Sequence, residues 1–550
     1  MNKKTTTFIF IAFSIFYAHT TKASHIAGGD LTYTCLGGNQ YQLNLNLFVD
    51  CLGFDPGATQ TITCTSTCGG SVTANVNVTN PGGTEISQLC PAQIGNSTCS
   101  GGALPGMWVF NYTGIVTLAP PCDTWTTSWT TCCRNAAIVN LVSPSGFGSY
   151  IEATLNSATD SCNNSPSFTS QPIPYVCQGQ LVNYNYGVVE PDGDSLYFSL
   201  INAMDAGGTM LAYSAGYSAT VPIPGIVIDP NTGQLTFTPM TLGSFVVVVL
   251  VEEYDAAGNL IGTVMRDIQF IVQSCSNIVP DPAPTAGAIT GMTGTAVQSG
   301  PYQIEMCEGA DFTFTATYTD SDAADSLSIV TNILSVLPGA TITFSGTNPL
   351  TVVISWIAPG GSAGTNTNFS VTVNDGACPV MGQQTFVYDV NVNPRTLGGP
   401  DQIICGTQTA TLVGTGGNIF TWNVISGPPM VVGTNFSCNP CDNPIASPAS
   451  TTVYEVVSDL SGTCVNRDTV TVTVVADFSY TTAQSASTSC LLQPIQFNAT
   501  STPGGAYTYS WSPPTYLDNI TISNPTATIS SPGTYTYYVQ ITSSLGCVKT

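Results

Sequence analysis

Glu190-Pro191-Asp192-Gly193-Asp194-Ser195-Leu196-Tyr197-Phe198-Ser199-Leu200 opens the stretch that decides the fold, which runs on to Val272. It continues through Ile228-Asp229-Pro230-Asn231-Thr232-Gly233-Gln234-Leu235-Thr236-Phe237, then Phe245 to Val251, then Ile268 to Val272. Each apolar run is short, rich in Val, Ile, Phe and Tyr, and ended by Gly, Pro, Asn or Asp. That is the pattern of short strands joined by tight turns, at the spacing of a two-sheet sandwich. Much of the remaining chain varies this unit, which predicts an all-β protein of tandem, disulfide-stapled β-sandwich domains.

A chain of 550 residues exceeds a single core, so four or five domains are expected. Charged residues make up only 7% of it. Thr, Ser, Asn and Gln must therefore supply the polar surface, and Thr also favours strands. Beyond residue 23 the cations are Arg134, Arg266, Arg395, Arg467 and Lys549, against 32 acids. No basic patch can form, which excludes nucleic-acid phosphates and an anionic membrane surface as partners. Divalent cations are the natural counter-charges.

Residues 1–23 read as a secretory signal peptide. Lys3 and Lys4 precede an apolar run from Phe8 to Ala18, and Thr21-Lys22-Ala23 offers a cleavage site. That run is too short to span a membrane, and no later run is long enough. Twenty dispersed cysteines agree with an oxidising compartment.

Residues 24–162 form a Cys-rich N-terminal β domain. Tyr41 to Val49 alternates, with Leu43, Leu45 and Leu47 on one face and Asn44, Asn46 and Phe48 on the other. Trp125, Thr127 and Trp129 share a face and are expected in the core. Cysteines 35, 51, 64, 68, 90, 99, 122, 132 and 133, completed by Cys162, would make five pairs. Adjacent Cys132 and Cys133 are expected to take different partners, because neighbours on a strand point to opposite faces. Residues 163–275 form the sandwich quoted above, with Cys177 and Cys275 as its bridge, worth roughly 4–5 kcal/mol in a chain-entropy account.

Residues 276–394 read as a diverged copy. Thr319-Asp320-Ser321-Asp322-Ala323-Ala324-Asp325 echoes the opening acidic turn, Asn374-Asp375-Gly376 echoes a later turn, and Cys307 is expected to pair with Cys378. Residues 395–475 and 476–550 are two smaller repeats. One carries Cys405, Trp422, Asn443-Pro444, Tyr454 and Cys464; the other carries Cys490, Trp511, Asn524-Pro525, Tyr535 and Cys547. Such repetition marks an array. Trp422 and Trp511 recur at one repeat position and are read as core. Cys438 and Cys441 are expected to form a local disulfide. The second repeat stops before a counterpart of the Arg467-to-Val474 strand, so the chain reads as the N-terminal portion of a longer protein.

The Gly399-Pro400-Asp401-Gln402-Ile403-Ile404-Cys405-Gly406 segment, the Trp, the Asn-Pro and the Ser461-Gly462-Thr463-Cys464 ending resemble PKD-type repeats of gliding-motility-associated surface proteins. Ser24-His25-Ile26-Ala27-Gly28-Gly29-Asp30-Leu31-Thr32-Tyr33 and Trp129-Thr130-Thr131-Cys132-Cys133-Arg134-Asn135 resemble the N-terminal region of the same group. Glu190 to Val272 resembles cadherin-like and Ig-like modules. The resemblance implies export by bacterial type IX secretion, attachment to the outer cell surface or release from it, and a C-terminal sorting part expected beyond residue 550.

Little in the sequence supports catalysis. Beyond residue 23 the sole histidine is His25, so no Ser-His-Asp, Cys-His or His-based zinc arrangement fits inside a domain. No glycine-rich phosphate loop with Lys occurs, and no spacing singles out a glycosidase carboxylate pair. The protein is read as a non-enzyme. The best chemical candidate is a calcium site, since several carboxylates on turns supply the hard oxygens this ion needs. Glu190, Asp192 and Asp194 lie in one turn, and Glu252, Glu253 and Asp255 end a later strand. The resemblance to cadherin-like modules implies calcium for such an acidic turn. The plainer alternative is a tight turn using Gly for positive φ and Asp for local hydrogen bonds. The same choice applies to Asp320, Asp322 and Asp325.

The expected role is adhesion or extracellular scaffolding, binding a glycan or protein ligand at the N-terminal tip. The competing class is a carbohydrate-binding array attached to a secreted enzyme encoded beyond residue 550.

Overall fold

The computed structural model describes residues 26–172, 175–459 and 464–550. Residues 1–23, read as a signal peptide, His25 and the Ser461-Gly462-Thr463 part of the repeat motif lie outside the described residues. No helix among the described residues is long and apolar enough to cross a membrane. The protein is all-β and divides into two compact units. The first holds residues 26–305, 311–357 and 365–391; the second holds 306–310, 358–364 and 392–550.

The first unit is built on one large sheet. Its strands are β1 (Ile26–Gly37), β2 (Gln40–Asp50), β3 (Thr59–Ser66), β4 (Ser71–Val78), β5 (Met107–Thr117), β6 (Trp125–Thr131), β7 (Ser149–Leu155), β8 (Ser195–Ile201), β9 (Gly243–Tyr254) and β10 (Leu260–Gln273). The order is β1-β2-β5-β4-β3-β6-β7-β10-β9-β8. One edge of β10 carries β9 along its length. The other edge carries in succession β7 at 262–264, β1 at 266–268 and the short strand Tyr175–Cys177 at 271–273. Because β10 pairs with both β7 and β1, eight strands close a circuit. β10 comes from the segment read as a separate sandwich, so one sheet runs across residue 162.

The alternations read from the sequence set its core. Leu43, Leu45 and Leu47 are fully buried, as are Trp125, Thr127 and Trp129. Phe48, on the face shared with Asn44 and Asn46, is buried too: it belongs to the hydrophobic core, and the guanidinium of Arg266 lies 5.0 Å from its ring centroid. Close strand approach explains Gly28, whose φ is +153° and where a Cβ would lie 2.0 Å from the Asp267 carbonyl oxygen.

Residues 287–393 form a two-sheet sandwich. One sheet runs 290–294, 311–318, 350–357, 341–345; the other runs 297–300, 303–307, 383–393, 366–374, 328–331. Its centre holds Phe312, Phe314, Phe369 and Tyr388, and the hydroxyls of Tyr318 and Tyr388 are 2.6 Å apart.

In the second unit the two short repeats are built alike. Trp422 and Trp511 are buried, and each indole N–H donates to a backbone carbonyl, of Cys441 at 2.9 Å and of Ile522 at 2.8 Å. The Asn-Pro carbonyls recur as acceptors: Leu412 N–H donates to Pro444 and Phe497 N–H to Pro525. Val548–Lys549 pairs with Ile541 and Thr542.

The disulfides depart most from expectation. Cys177–Cys275 and Cys438–Cys441 form as expected. Cys307 does not pair with Cys378: it bonds to Cys464, while Cys378 bonds to Cys90. Cys307 ends the strand beside Asn393, whereas Cys378 follows the far end of 366–374. Nine strand residues separate the two ends by roughly 30 Å, beyond the reach of a disulfide. Cys132 and Cys133 bond to each other. The argument for separate partners assumed an extended strand, but β6 stops at Thr131. The N-terminal segment holds four internal pairs rather than five: the other three are Cys35–Cys162, Cys51–Cys99 and Cys68–Cys122. Cys90 leaves for Cys378, and Cys64 stays a buried free thiol among apolar neighbours. Of the repeat cysteines expected in disulfides, Cys405, Cys464, Cys490 and Cys547, only Cys490 is not bonded: Cys405 bonds to Cys547 across the two short repeats and Cys464 to Cys307, leaving Cys490 free and exposed.

Candidate cation sites

Two acidic clusters emerge, at related places in successive modules. The first gathers Glu190, Asp192 and Asp194, whose carboxylate oxygens lie within 4.8 Å of one another. The loop enters β8, and Glu190 organises it by accepting the N–H groups of Asp192 at 2.9 Å, Gly193 and Asp194 at 2.7 Å. Asp192 accepts from the Asn164 N–H at 2.7 Å and from its side-chain amide at 2.9 Å and 3.0 Å. Glu190 and Asp192 thus spend their oxygens on loop donors.

Glu252 and Glu253 point to opposite faces of β9, as alternation requires. Glu253 is fully buried, and Asn163 Nδ2 donates to it at 2.7 Å. Burial, with Glu190 and Asp194 nearby, pushes its carboxyl up to about 9. Asp255 does not join the cluster. It caps its own turn, accepting the N–H of Ala257 at 2.9 Å and of Asn259 at 2.8 Å, and the Asn259 side chain at 2.9 Å. These bonds, the Asn259 side chain first, hold its carboxyl below the ordinary value.

The second cluster gathers Asp320, Asp325 and Asp375, again within 4.8 Å. Asp320 follows strand 311–318, Asp325 lies in the next turn, and Asp375 follows strand 366–374. Asp375 is fully buried and accepts Ala377 N–H at 2.8 Å, Gly382 N–H at 2.9 Å and Asn277 Nδ2 at 2.6 Å. Gly382 permits this approach, since a Cβ there would lie 2.3 Å from the Asp375 carboxylate. Among the described residues, the Asp320 carboxylate accepts only the Asp322 N–H, at its Oδ1. Burial, then the charges of Asp375, Asp325 and Asp322, push its carboxyl up to about 6. Asp322 lies outside the cluster, its Oδ2 accepting the Ile278 N–H at 3.0 Å.

Sequence reading found Asp320 and Asp325 but took Asn374-Asp375-Gly376 only as a turn. The matching position in the preceding module, Asp255, was the signal available for Asp375.

No protein-family model matches the chain, and no curated protein matches it. Solved structures similar to it include a three-Ig-domain fragment of titin at 10% identity and TM-score 0.23, covering 57% of this chain and 98% of that one. Eight N-terminal Ig domains of Down Syndrome Cell Adhesion Molecule match at 7% identity and TM-score 0.19, covering 93% and 82%. Cadherin domains 1–4 of protocadherin gamma B7 match at 11% identity and TM-score 0.19, covering 65% and 90%.

Proposed function

We propose that this chain is a secreted, surface-exposed array that serves adhesion or extracellular scaffolding, stabilised by calcium. The observation that carries the reading is the stapling of consecutive modules by bridges distant in sequence. Cys90–Cys378 spans 288 residues and Cys405–Cys547 spans 142. Such bonds persist in an oxidising compartment and restrict flexing between the modules they join. The sparse charge agrees with a role that needs neither nucleic acid nor an anionic membrane. The N-terminal motifs and the two short repeats favour a bacterial outer surface and the type IX route. The carbohydrate-array reading has less support, because Trp125, Trp129, Trp356, Trp422 and Trp511 are buried.

The test uses the native organism. Antibody against the chain should label unpermeabilised cells, and deletion of the gene should reduce attachment to surfaces or neighbouring cells. Labelling only after permeabilisation, or unchanged attachment, would remove the proposal.

A further inference from the structure

The geometry points to a Ca2+ site in the second acidic cluster, with Asp320, Asp325 and Asp375 as carboxylate ligands. This deepens the calcium part of the proposed function and does not depend on an adhesive role. Three carboxylates lie within 4.8 Å in a place where two are nearly closed to solvent: Asp320 is 7% exposed and Asp375 0%. One oxygen of Asp320 and one of Asp325 are inaccessible and have no hydrogen-bond partner among the described residues. Buried carboxylate oxygens ordinarily find a donor or a cation. The only cations of the described first unit are Arg134 and Arg266, and these pair with Asp267 and Asp30. A hard divalent ion supplies the missing partner for both oxygens and offsets the mutual repulsion of three anions.

Asp375 also accepts local donors, so the first cluster differs in one respect: none of Glu190, Asp192 and Asp194 has a buried oxygen without a partner among the described residues. Glu190 and Asp192 are occupied by the loop's own N–H donors and by Asn164, and Asp255 is turned into its own hairpin. Asn277 reaches Asp375 and the Ile278 N–H reaches Asp322, so the segment entering the sandwich rests against the cluster. An ion there joins that segment to the loops after strands 311–318 and 366–374.

Calcium titration of the purified, chelator-treated chain, followed by calorimetric melting, tests the assignment. Saturating calcium should raise Tm by about 3 °C or more, as expected for a ligand that binds only the folded state. Asp325→Asn should abolish both the binding heat and the rise, whereas Glu190→Gln should keep both. In chelator, Asp325→Asn should melt at or above the unsubstituted chain, because one of three like charges is gone; a merely structural role for Asp325 would lower Tm under both conditions. Absence of binding heat for the unsubstituted chain would overturn the site, as would a response kept by Asp325→Asn or lost with Glu190→Gln. Should Asp325→Asn fail to fold, the unsubstituted titration still decides whether calcium binds, and Asp320→Asn decides where. None of these outcomes bears on surface display or attachment, so the adhesive reading fails or stands separately.

Discussion

Arg266 on β10 and Asp30 on β1 are register partners in the sheet and also an ion pair, with Nε 3.4 Å from Oδ2 and both side chains buried. The guanidinium lies 4.9–5.3 Å from the ring centroids of Phe48, Phe168 and Tyr186. The next residue, Asp267, takes Arg134 at 2.6 Å. Two motifs far apart in sequence, the Gly28-Gly29-Asp30 run and the Cys132-Cys133-Arg134 run, thus meet on consecutive residues of one strand. Removing one buried partner leaves the other uncompensated, so Arg266→Ala should cost about 3–5 kcal/mol. Adding Asp30→Asn should return part of that loss. Denaturant midpoints of the two single variants and the double variant measure the coupling.

Gly28→Ala should be as damaging, because its Cβ has no room beside the β10 backbone and its φ of +153° suits glycine. The expected result is little soluble product, or a Tm lower by several degrees. A neighbouring control is Gly38→Ala, where nothing lies within 4 Å of the added carbon.

The two free thiols should behave differently toward an alkylating reagent. Cys490 is exposed and should react in the native protein. Cys64 is fully buried, and burial pushes its thiol up to about 12, so it should react only after unfolding. Mass spectrometry of the labelled peptides reads both.

Cys90–Cys378 fastens the 87–90 segment to the 378–381 loop, where Gln88 Nε2 also donates to the Met381 carbonyl at 2.6 Å. Replacing both cysteines with Ala should lower stability by about 2–4 kcal/mol. Non-reducing peptide mapping should recover this pair and Cys307–Cys464.

Asp389 tests the pH dependence. Burial, then the charges of Glu305 and Asp229, raise its carboxyl above the ordinary 3.8. A carboxyl raised in the folded state binds its proton more tightly there. The penalty is full above the folded value, shrinks as pH falls through it, and is gone below the unfolded value. Asp389→Asn should therefore raise Tm at pH 7, with the gain vanishing toward about pH 4.

The sequence by itself determined the strands, their buried faces and the class of fold. Leu43, Leu45 and Leu47, the paired Trp422 and Trp511, and the turns at Asp192-Gly193 and Asn231-Thr232-Gly233 are local patterns, set by side-chain alternation and by which residues tolerate a turn. The acidic turns were legible for the same reason. Tertiary structure alone decided what depends on distance: that β10 joins β1 and β7, that Cys90 meets Cys378, and that Cys132 meets its own neighbour beyond the end of a strand. It also set the partners of the two acidic clusters apart. Spacing showed similar turns, but only packing reveals that backbone donors occupy Glu190 and Asp192, while Asp320 and Asp325 keep buried oxygens with no partner beside Asp375.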